Sequence, residues 1–452
     1  MTHAAKPIAA EQLPVINRLS QGASGTLIAL GILASAVLWG GNRPMGAAIL
    51  SLLVLTVFSV QVIAAQRAAI HRAQDSRLLL PALLFGAVLS WAAIQALPLP
   101  APLAESFGHP AWNGLKDQTG HSGVRISAEP GATWRAIYWL AACCAIFWLA
   151  LRAGTRAGVA DRMLLIISAG SGLIAAYGIL AVVLGANPVT GPPAYPGVVT
   201  GTFVNRNAFA FFMTLGALAC LTCFSTPHKN GHLPRGSLRT TAAAAILAIT
   251  CAALFLSGSR AGVAAFLAAL SVYLLLTRPR ISSGLLRVSA AGAAAVVILS
   301  APVLIERLSD FDPFTDQRAD VYGLILSGIE ARPLVGHGFG TFQDSFRPYL
   351  AASISGAEWD YAHSTVLELI FELGIPGALL IALGLAVIGC RCAAFAVHSR
   401  HQVAALGPAT LMAAALHGSV DFAPQVPANT ALFAMLLGLS CAATMGTPRK
   451  PD

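Results

Sequence analysis

The stretch PMGAAILSLLVLTVFSVQVIAA, at 44–65, has 22 residues and no charged side chain. A helix of this length, rising about 1.5 Å per residue, is long enough to cross the roughly 30 Å of hydrocarbon in a bilayer. Similar stretches recur along the chain, which is 56% hydrophobic and only 10% charged. Ordinary soluble domains carry about a quarter charged residues. The sequence therefore predicts an all-α, polytopic bundle of membrane helices.

Twelve apolar stretches are predicted to span the membrane. They lie at 24–40, 44–65, 78–98, 134–151, 163–185, 207–225, 240–257, 261–277, 288–305, 366–390, 404–420 and 427–445. The predicted organisation is a cytoplasmic lead-in at 1–23, nine helices within 24–305, a large loop at 306–362, three helices within 363–445 and a tail at 446–452. A second long connector, 99–133, is rich in Pro and Gly and is expected to lie along the membrane interface.

The formal net charge of +9 raises the question of a nucleic-acid partner. The Lys and Arg residues, however, alternate between connectors, and with the N-terminus inside, 18 of the 28 fall in inner segments. This bias is typical of the cytoplasmic connectors of membrane proteins. We therefore expect both termini in the cytoplasm, the large loop on the opposite side, and no nucleic-acid partner.

Two short motifs at the outer ends of predicted spans each carry an arginine. In GTFVNRN (201–207), Arg206 follows a glycine-led turn at a helix N-terminus, where N–H groups, the helix dipole and a guanidinium together suit an anion. In SGSRAG (257–262), the connector is so short that Arg260 must lie at the membrane surface, and its guanidinium fits two phosphate oxygens. The alternatives are an interfacial arginine at 206 and a structural ion pair at 260.

A third motif, DYAHSTVLE (360–368), joins the large loop to the tenth predicted span. His363 lies at the outer membrane edge, where an imidazole can take a proton from a hydroxyl nucleophile. The alternative is a structural histidine at the interface. Glu368 and Glu372 lie four residues apart on one helix face, so we expect them to face protein or water and not lipid.

Two further patterns resemble ligand sites only in part. GHGFG (336–340) has the glycines of a phosphate loop without the strand and helix that such a loop joins, so we expect a flexible turn. Asp310 and Asp312 form a D-x-D pattern, but Phe314 stands where a calcium loop would need an oxygen ligand. The sequence predicts no metal site and no cofactor.

Taken in order, five segments of the chain resemble the O-antigen ligase and polymerase family of bacterial envelope glycosyltransferases. They are GTFVNRNAFA (201–210), FLSGSRAG (255–262), RPLVGHGFGTF (332–342), AHSTVLELIFELGIPG (362–377) and LHGSVDF (416–422). Their order, spacing and predicted topology carry the resemblance together, while the N-terminal half matches only as a hydrophobic bundle. The resemblance implies a GT-C-like membrane fold with a large periplasmic loop, in the bacterial inner membrane.

The resemblance also implies an activity. Members of this family transfer a glycan from undecaprenyl diphosphate at the periplasmic face, the ligases to lipid A core and the polymerases to another repeat unit. The ligases are regarded as inverting and metal-independent. The expected partners are therefore the lipid-linked glycan donor, one of these two acceptors and membrane lipids.

Site residues follow from the same resemblance. Arg206 and Arg260 would hold the donor diphosphate, and His363 would activate the acceptor hydroxyl. Arg318 opens a stretch of helical apolar spacing in the large loop, at 318–330, and would add a third guanidinium. Ligases of the family often show a His-x-His-Asn pattern, whereas this chain has Tyr-Ala-His-Ser at 361–364, a difference that favours a polymerase.

Two other classes of function stay open, a transporter of lipid-linked sugars and a non-catalytic envelope scaffold. No internal repeat of the kind that builds many transporters is apparent in the sequence. The uneven outer connectors and the Arg and His motifs favour the enzyme. Our leading hypothesis is ligase-like transfer.

Overall fold

The computed structural model describes residues 13–67, 78–120, 122–191, 197–225, 237–278, 313–350 and 359–445. Within these ranges the regular structure is helical. The α-helices are α1 Leu13–Val37, α2 Pro44–Arg67, α3 Leu79–Ala96, α4 Ala101–Phe107, α5 Asn113–Thr119, α6 Pro130–Gly154, α7 Val159–Val183, α8 Arg206–Ser225, α9 Ser237–Leu256, α10 Arg260–Thr277, α11 Pro313–Ala331, α12 Phe342–Phe346, α13 Thr365–Ser399, α14 Gln402–Val420 and α15 Pro427–Ala443.

Eleven of the twelve predicted spans coincide with one of these helices. Among the described residues, 8 helices are long and apolar enough to cross a membrane, and three shorter apolar stretches add to them, Gln21–Val37, Thr241–Leu256 and Pro427–Ala443. The predicted span at 288–305 lies outside the described residues. The prediction of an all-α, polytopic membrane fold is confirmed.

Helix α8 lies at the centre of the bundle. Within α8, 83% of the stretch Arg206–Cys223 is buried. Within α2, only 17% of the span Pro44–Ala64 is buried, so most apolar side chains of α2 are left to face lipid. Helices α7, α9, α10, α14 and α15 all pack against α8. Gly262 permits the close approach of α10, because a Cβ there would lie 2.6 Å from the Ala210 side chain of α8.

Six connecting regions meet at one end of the bundle, which we call the loop face. Backbone hydrogen bonds join several of them. Val199 N donates to Leu256 O at 3.1 Å, and Ala128 N donates to His337 O at 2.9 Å. The regions are 38–43, 97–129 except 121, 197–205, 257–259, 332–364 except 351–358, and 421–426.

Helix α13 is broken near its start, and the turn at 332–340 inserts into the break. Gly374 has φ 73° and ψ 168°, and Pro376 follows it. The carbonyls of Phe371 and Glu372 accept hydrogen bonds from His337 N and Gly338 N, each at 3.0 Å. These bonds replace helical partners that the break removes.

The expectation of a flexible turn at 336–340 is therefore corrected. Gly336 has φ 65°, and a Cβ on it would lie only 2.3 Å from the Glu372 carbonyl oxygen. His337 is 1% exposed. Gly336 permits a close backbone approach to α13, and Gly338 and Gly340 permit close approaches to Ser127 and to Ala136 of α6. The turn is therefore a fixed part of the core of the loop face.

Candidate active site

His363 occupies a strained position between the large loop and α13. Its φ is 51°, in the left-handed region that residues other than glycine rarely adopt. The Tyr322 hydroxyl of α11 donates to the His363 carbonyl at 2.9 Å, and Ala362 N donates to Glu368 Oε2 at 2.8 Å. Ser364 then caps α13 by accepting from Leu367 N. The loop and the helix together fix the backbone of His363.

The His363 ring faces a carboxylate that the sequence analysis does not place in the site. His363 Nδ1 lies 4.0 Å from Asp421 Oδ2, and the two side chains are 26% and 1% exposed. The rings of Trp359 and Phe422 meet the imidazole edge-on, with centroids 5.5 and 5.1 Å away. The Nδ1 edge is buried. The opposite edge, with Nε2, is therefore the part of the ring that a substrate can reach.

A chain of hydrogen bonds holds Asp421 in place. Asn207 Nδ2 donates to Asp421 Oδ2 at 2.6 Å, and Ser259 Oγ donates to Asn207 Oδ1 at 2.8 Å. The other carboxylate oxygen, Asp421 Oδ1, accepts from Ala423 N at 2.9 Å. The motifs at 201–207 and 257–262, together with LHGSVDF, thus meet beside His363, although they are far apart in sequence.

Asp421 is a carboxylate at neutral pH. Burial raises its pKa, but the neighbouring His363 and His417 imidazoles and the Asn207 amide lower it, and the net pKa lies below the ordinary value. A carboxylate beside His363 Nδ1 orients the imidazole and stabilises its protonated form by Coulomb attraction. The pair can therefore accept a proton at Nε2.

The two predicted arginines open the helices that this hydrogen-bond chain joins. Arg206 is the first residue of α8 and Arg260 the first residue of α10, so they adjoin Asn207 and Ser259 directly. Arg206 is half-buried, whereas Arg260 is exposed. No ion pair joins Arg260 to another residue in the described part of the chain. Two helix N-termini, each of which begins with an arginine, therefore lie close together, and such N-termini attract anions.

Other predicted site residues are less fully described. Arg318 lies within α11, as expected of a loop helix over 318–330, but its side chain is outside the described residues. Asp310 and Asp312 lie outside them entirely. Within the described ranges, no group of three or more His, Cys, Asp or Glu residues could hold a metal ion.

The main residue that sequence reasoning missed is Asp421. A signal existed, because an acidic residue directly after the apolar stretch 404–420 is costly unless it is partnered. Asn207 and Ser259 stand in motifs that were singled out for their arginines, but pairing between them is a tertiary contact. Local spacing could not have predicted it.

A second polar cluster of the loop face consists of His109 and His337, which we call the histidine pair. Ala111 N donates to His109 Nδ1 at 3.1 Å, so that nitrogen carries no proton. His109 Nε2 then donates to His337 Nδ1 at 3.0 Å, and His337 Nε2 donates to the Gly328 carbonyl at 3.0 Å. All three bonds run in one direction, which requires two neutral imidazoles.

Burial is the main reason that both imidazoles stay neutral. Burial, with a smaller contribution from the Arg332 charge, lowers the pKa of His109 to about 3. Burial likewise lowers the pKa of His337 to about 4, although the Gly328 carbonyl opposes this shift. The histidine pair is thus a structural connection and not a proton acceptor.

Arg332 completes this connection. Its guanidinium donates to the carbonyls of Phe107 and Gly108 at 2.6 and 3.1 Å, and its Nε donates to the Gly336 carbonyl at 2.8 Å. The connector 99–133, expected to lie along the membrane interface, is therefore hydrogen-bonded to the large loop. It forms part of the loop face.

The fold defines a class of protein, a polytopic membrane protein, and its candidate active site lies at one end of the helix bundle. Residues 243–382 match the family model of the O-antigen ligase. The match supports the O-antigen ligase and polymerase family for this chain and confirms the resemblance seen in the sequence. The matched range contains Arg260 and His363, whereas Arg206 and Asp421 lie outside it. A search of curated proteins finds no match.

Proposed function

We propose that this protein transfers a glycan from undecaprenyl diphosphate to an acceptor sugar hydroxyl at the periplasmic face of the bacterial inner membrane. The observation that carries the proposal is the pairing of His363 with buried Asp421 beside the N-termini that bear Arg206 and Arg260. The histidine side of this region can accept a proton, and the arginine side can hold an anion. Glycosyl transfer from a diphosphate needs both.

The proposed reaction is a single displacement. His363 Nε2 removes the proton of the acceptor hydroxyl, and Asp421 stabilises the resulting imidazolium through Nδ1. The acceptor oxygen forms a bond to the anomeric carbon of the donor. The bond from that carbon to the diphosphate oxygen breaks, and the electron pair leaves with undecaprenyl diphosphate. Attack opposite the leaving group inverts the anomeric configuration.

The leaving group determines the role of the arginines. Negative charge grows on the diphosphate as the bond to the sugar breaks, and donors placed in advance lower the barrier for that step. Arg206 and Arg260 supply guanidinium groups, and the first turns of α8 and α10 add backbone N–H groups. Arg318 in α11 is proposed as a third contact to the diphosphate. This chemistry asks for no metal ion.

The orientation rests on the distribution of Lys and Arg among the connectors. The loop face lies opposite the basic connectors, so we place it in the periplasm and both termini in the cytoplasm. Because the family model that residues 243–382 match is that of the O-antigen ligase, we take lipid A core as the leading acceptor. The sequence Tyr-Ala-His-Ser at 361–364, in place of the ligase pattern, favours the alternative, transfer to another repeat unit.

His363→Ala tests the proposal. Purified wild type and variant in lipid nanodiscs would receive a lipid-linked oligosaccharide and rough lipopolysaccharide, with donor binding and single-turnover transfer measured separately. We expect transfer to slow by about 10²–10⁴-fold, the usual contribution of a positioned base. Donor binding should stay nearly unchanged.

His398→Ala is the matched control, because His398 is exposed and lies near the far end of α13. This variant should transfer glycan at the wild-type rate. Transfer by His363→Ala at the wild-type rate would refute the base assignment. Movement of intact donor across the bilayer without transfer would instead indicate a transporter.

A further inference from the structure

The turn between α1 and α2 presents an exposed indole and an exposed guanidinium next to the active site. Trp39 is 37% exposed, and the Arg43 guanidinium lies over one face of its ring, 5.0 Å from the ring centre. Trp39 Nε1 donates to the Val189 carbonyl at 2.6 Å, which fixes the plane of the indole. Both residues lie outside the range that matches the family model, and the proposed transfer reaction uses neither of them.

The backbone of this turn is held in an unusual conformation. Trp39, Gly40 and Gly41 have φ values of 57°, 68° and 72°, three successive residues in the left-handed region. A Cβ on Gly40 would lie 2.5 Å from the Phe203 ring, and one on Gly41 would lie 2.4 Å from Ser35 Oγ. Gly40 thus lets the turn pack against the segment that leads to Arg206, and Gly41 lets it pack against the end of α1. Strain of this kind concentrates at functional sites.

Aromatic side chains connect the turn to His363. The Tyr361 hydroxyl donates to Asn42 Oδ1 at 3.2 Å. The Tyr361 ring stacks on Phe422, with centroids 4.2 Å apart and an angle of 5° between the planes, and Phe422 also makes an edge-to-face contact with the His363 imidazole. The rings of Tyr361 and Phe422 therefore lie between the 38–43 turn and His363.

An aromatic anchor at the membrane interface would be the simplest use of Trp39. Trp134 fits that description, since it has the same exposure of 37% and lies in the regular helix α6, near Tyr138. A membrane anchor needs neither a left-handed backbone nor a connection to the segment that carries His363. Trp39 has a left-handed backbone, and its turn is connected to that segment through Tyr361.

We propose that Trp39 and Arg43 form a sugar-binding subsite, in which the indole face opposite the Arg43 guanidinium stacks on a sugar ring and the guanidinium binds an anionic group carried on or beside that ring. The inference rests on the proposed function, because the sugar belongs to a substrate of the transfer reaction. Flat aromatic faces suit the C–H groups of a pyranose, and a guanidinium suits a phosphate or carboxylate. The ring can come from the glycan donor or from the acceptor.

The test compares Trp39→Ala, Arg43→Gln and the control Trp134→Ala in nanodiscs. KM and kcat are measured while either a lipid-linked oligosaccharide or rough lipopolysaccharide is varied. We expect Trp39→Ala to raise one KM by about three- to tenfold, the size of one aromatic contact. Arg43→Gln should raise the same KM about tenfold, as loss of a charged hydrogen bond does. The substrate whose KM rises identifies the source of the ring.

Trp134→Ala should leave both KM values at wild type. Equal behaviour of Trp39→Ala and Trp134→Ala, or a fall in kcat with both KM values unchanged, would overturn the subsite. Should Trp39→Ala fail to fold, Arg43→Gln decides alone, because its side chain lies on the surface. If the wild type transfers no glycan to an acceptor, the proposed function fails instead. If Trp39→Ala and Arg43→Gln leave both KM values at wild type while His363→Ala slows transfer, the proposed function stands and the subsite is wrong.

Discussion

The two histidine clusters of the loop face share a side chain and differ in what surrounds it. His363 turns Nδ1 toward the carboxylate of Asp421 and leaves its other edge accessible. His337 is buried, with one ring nitrogen on His109 and the other on the Gly328 carbonyl. The nearest charge to the histidine pair is the Arg332 guanidinium, which opposes protonation. The environment, and not the residue type, separates a proton acceptor from a structural histidine.

The two histidine clusters also have different roles. His363 can change its protonation state during a reaction, because a carboxylate compensates the new charge. The histidine pair keeps one state and fastens the connector 97–129 to the large loop. Through Gly328 and Tyr322, both on α11, this fastening reaches the backbone of His363. His363 with Asp421 is proposed to act on substrate, and the histidine pair stabilises the backbone that surrounds His363.

Asp421→Asn should have the largest effect, because it leaves His363 without a carboxylate and so makes its surroundings more like those of the histidine pair. The amide keeps the size of the side chain but cannot stabilise an imidazolium. Transfer should slow by about 10²–10³-fold with donor affinity unchanged, by analogy with loss of the acid that orients a catalytic histidine. Single-turnover transfer in nanodiscs measures this. Asp320→Asn, at an exposed position of α11, is the control, and equal rates for the two variants would contradict the role of Asp421.

Arg260 offers the next largest effect, on donor binding. Arg260→Lys keeps the charge and loses the planar fork that matches two phosphate oxygens, so donor affinity should fall about tenfold. Arg260→Ala also loses the charge and should weaken binding about 10²-fold. Binding of lipid-linked oligosaccharide to purified protein measures both. Arg347→Lys, another exposed arginine of the loop face, should bind as wild type does; a lysine at 260 that binds equally well would argue against a bidentate contact.

The sequence was sufficient for the fold and for the individual motifs. Apolar length predicted the spans because a helix in lipid must satisfy its own backbone and cover it with apolar side chains. Spacing predicted a helix over 318–330, which lies within α11. Arg206 and Arg260 were recognised because a charge beside an apolar helix stands out.

Sequence could not reveal the partners of these residues. Asn207 and Asp421 are separated by 214 positions, and their contact depends on how α8 packs against the end of α14. The same limit explains GHGFG at 336–340. Its glycines suggest flexibility, but Gly336 allows a close approach to a break in α13, and no local sequence pattern predicts that break. Packing, and not propensity, decides these features.

A smaller effect is expected from acid on the histidine pair. The connection can be closed, with the histidine pair buried and hydrogen-bonded, or open, with both imidazoles in water. Above about pH 6.5, the imidazoles are neutral in both states, so the connection is fully stable. Below that value the opened state takes up protons, whereas burial holds the pKa of His109 at about 3 and that of His337 at about 4 in the closed state. Stability of the connection is therefore lost as the pH falls from about 6.5 toward 4.

Amide hydrogen exchange of residues 97–120 measures this loss. After correction for the intrinsic exchange rate, protection should decrease between pH 7.5 and pH 5. The double variant His109→Gln, His337→Phe should remove the pH dependence, and His398→Gln, at the far end of α13, should retain it. Protection that is independent of pH in the wild type would show that the histidine pair does not titrate on opening.

The smallest effect, no change at all, is expected when the acidic pair of the large loop is neutralised. Asp310→Asn and Asp312→Asn together should leave transfer intact in the presence of a chelator. The reason lies in the charges of the site, since the proposed leaving group meets Arg206 and Arg260, which attract an anion and repel a metal ion. The carboxylate nearest to them, Asp421, already accepts from Asn207 and from Ala423 N. Loss of transfer that added magnesium or manganese restores would contradict this assignment and would make the acids of the loop, and not the arginines, the partners of the diphosphate.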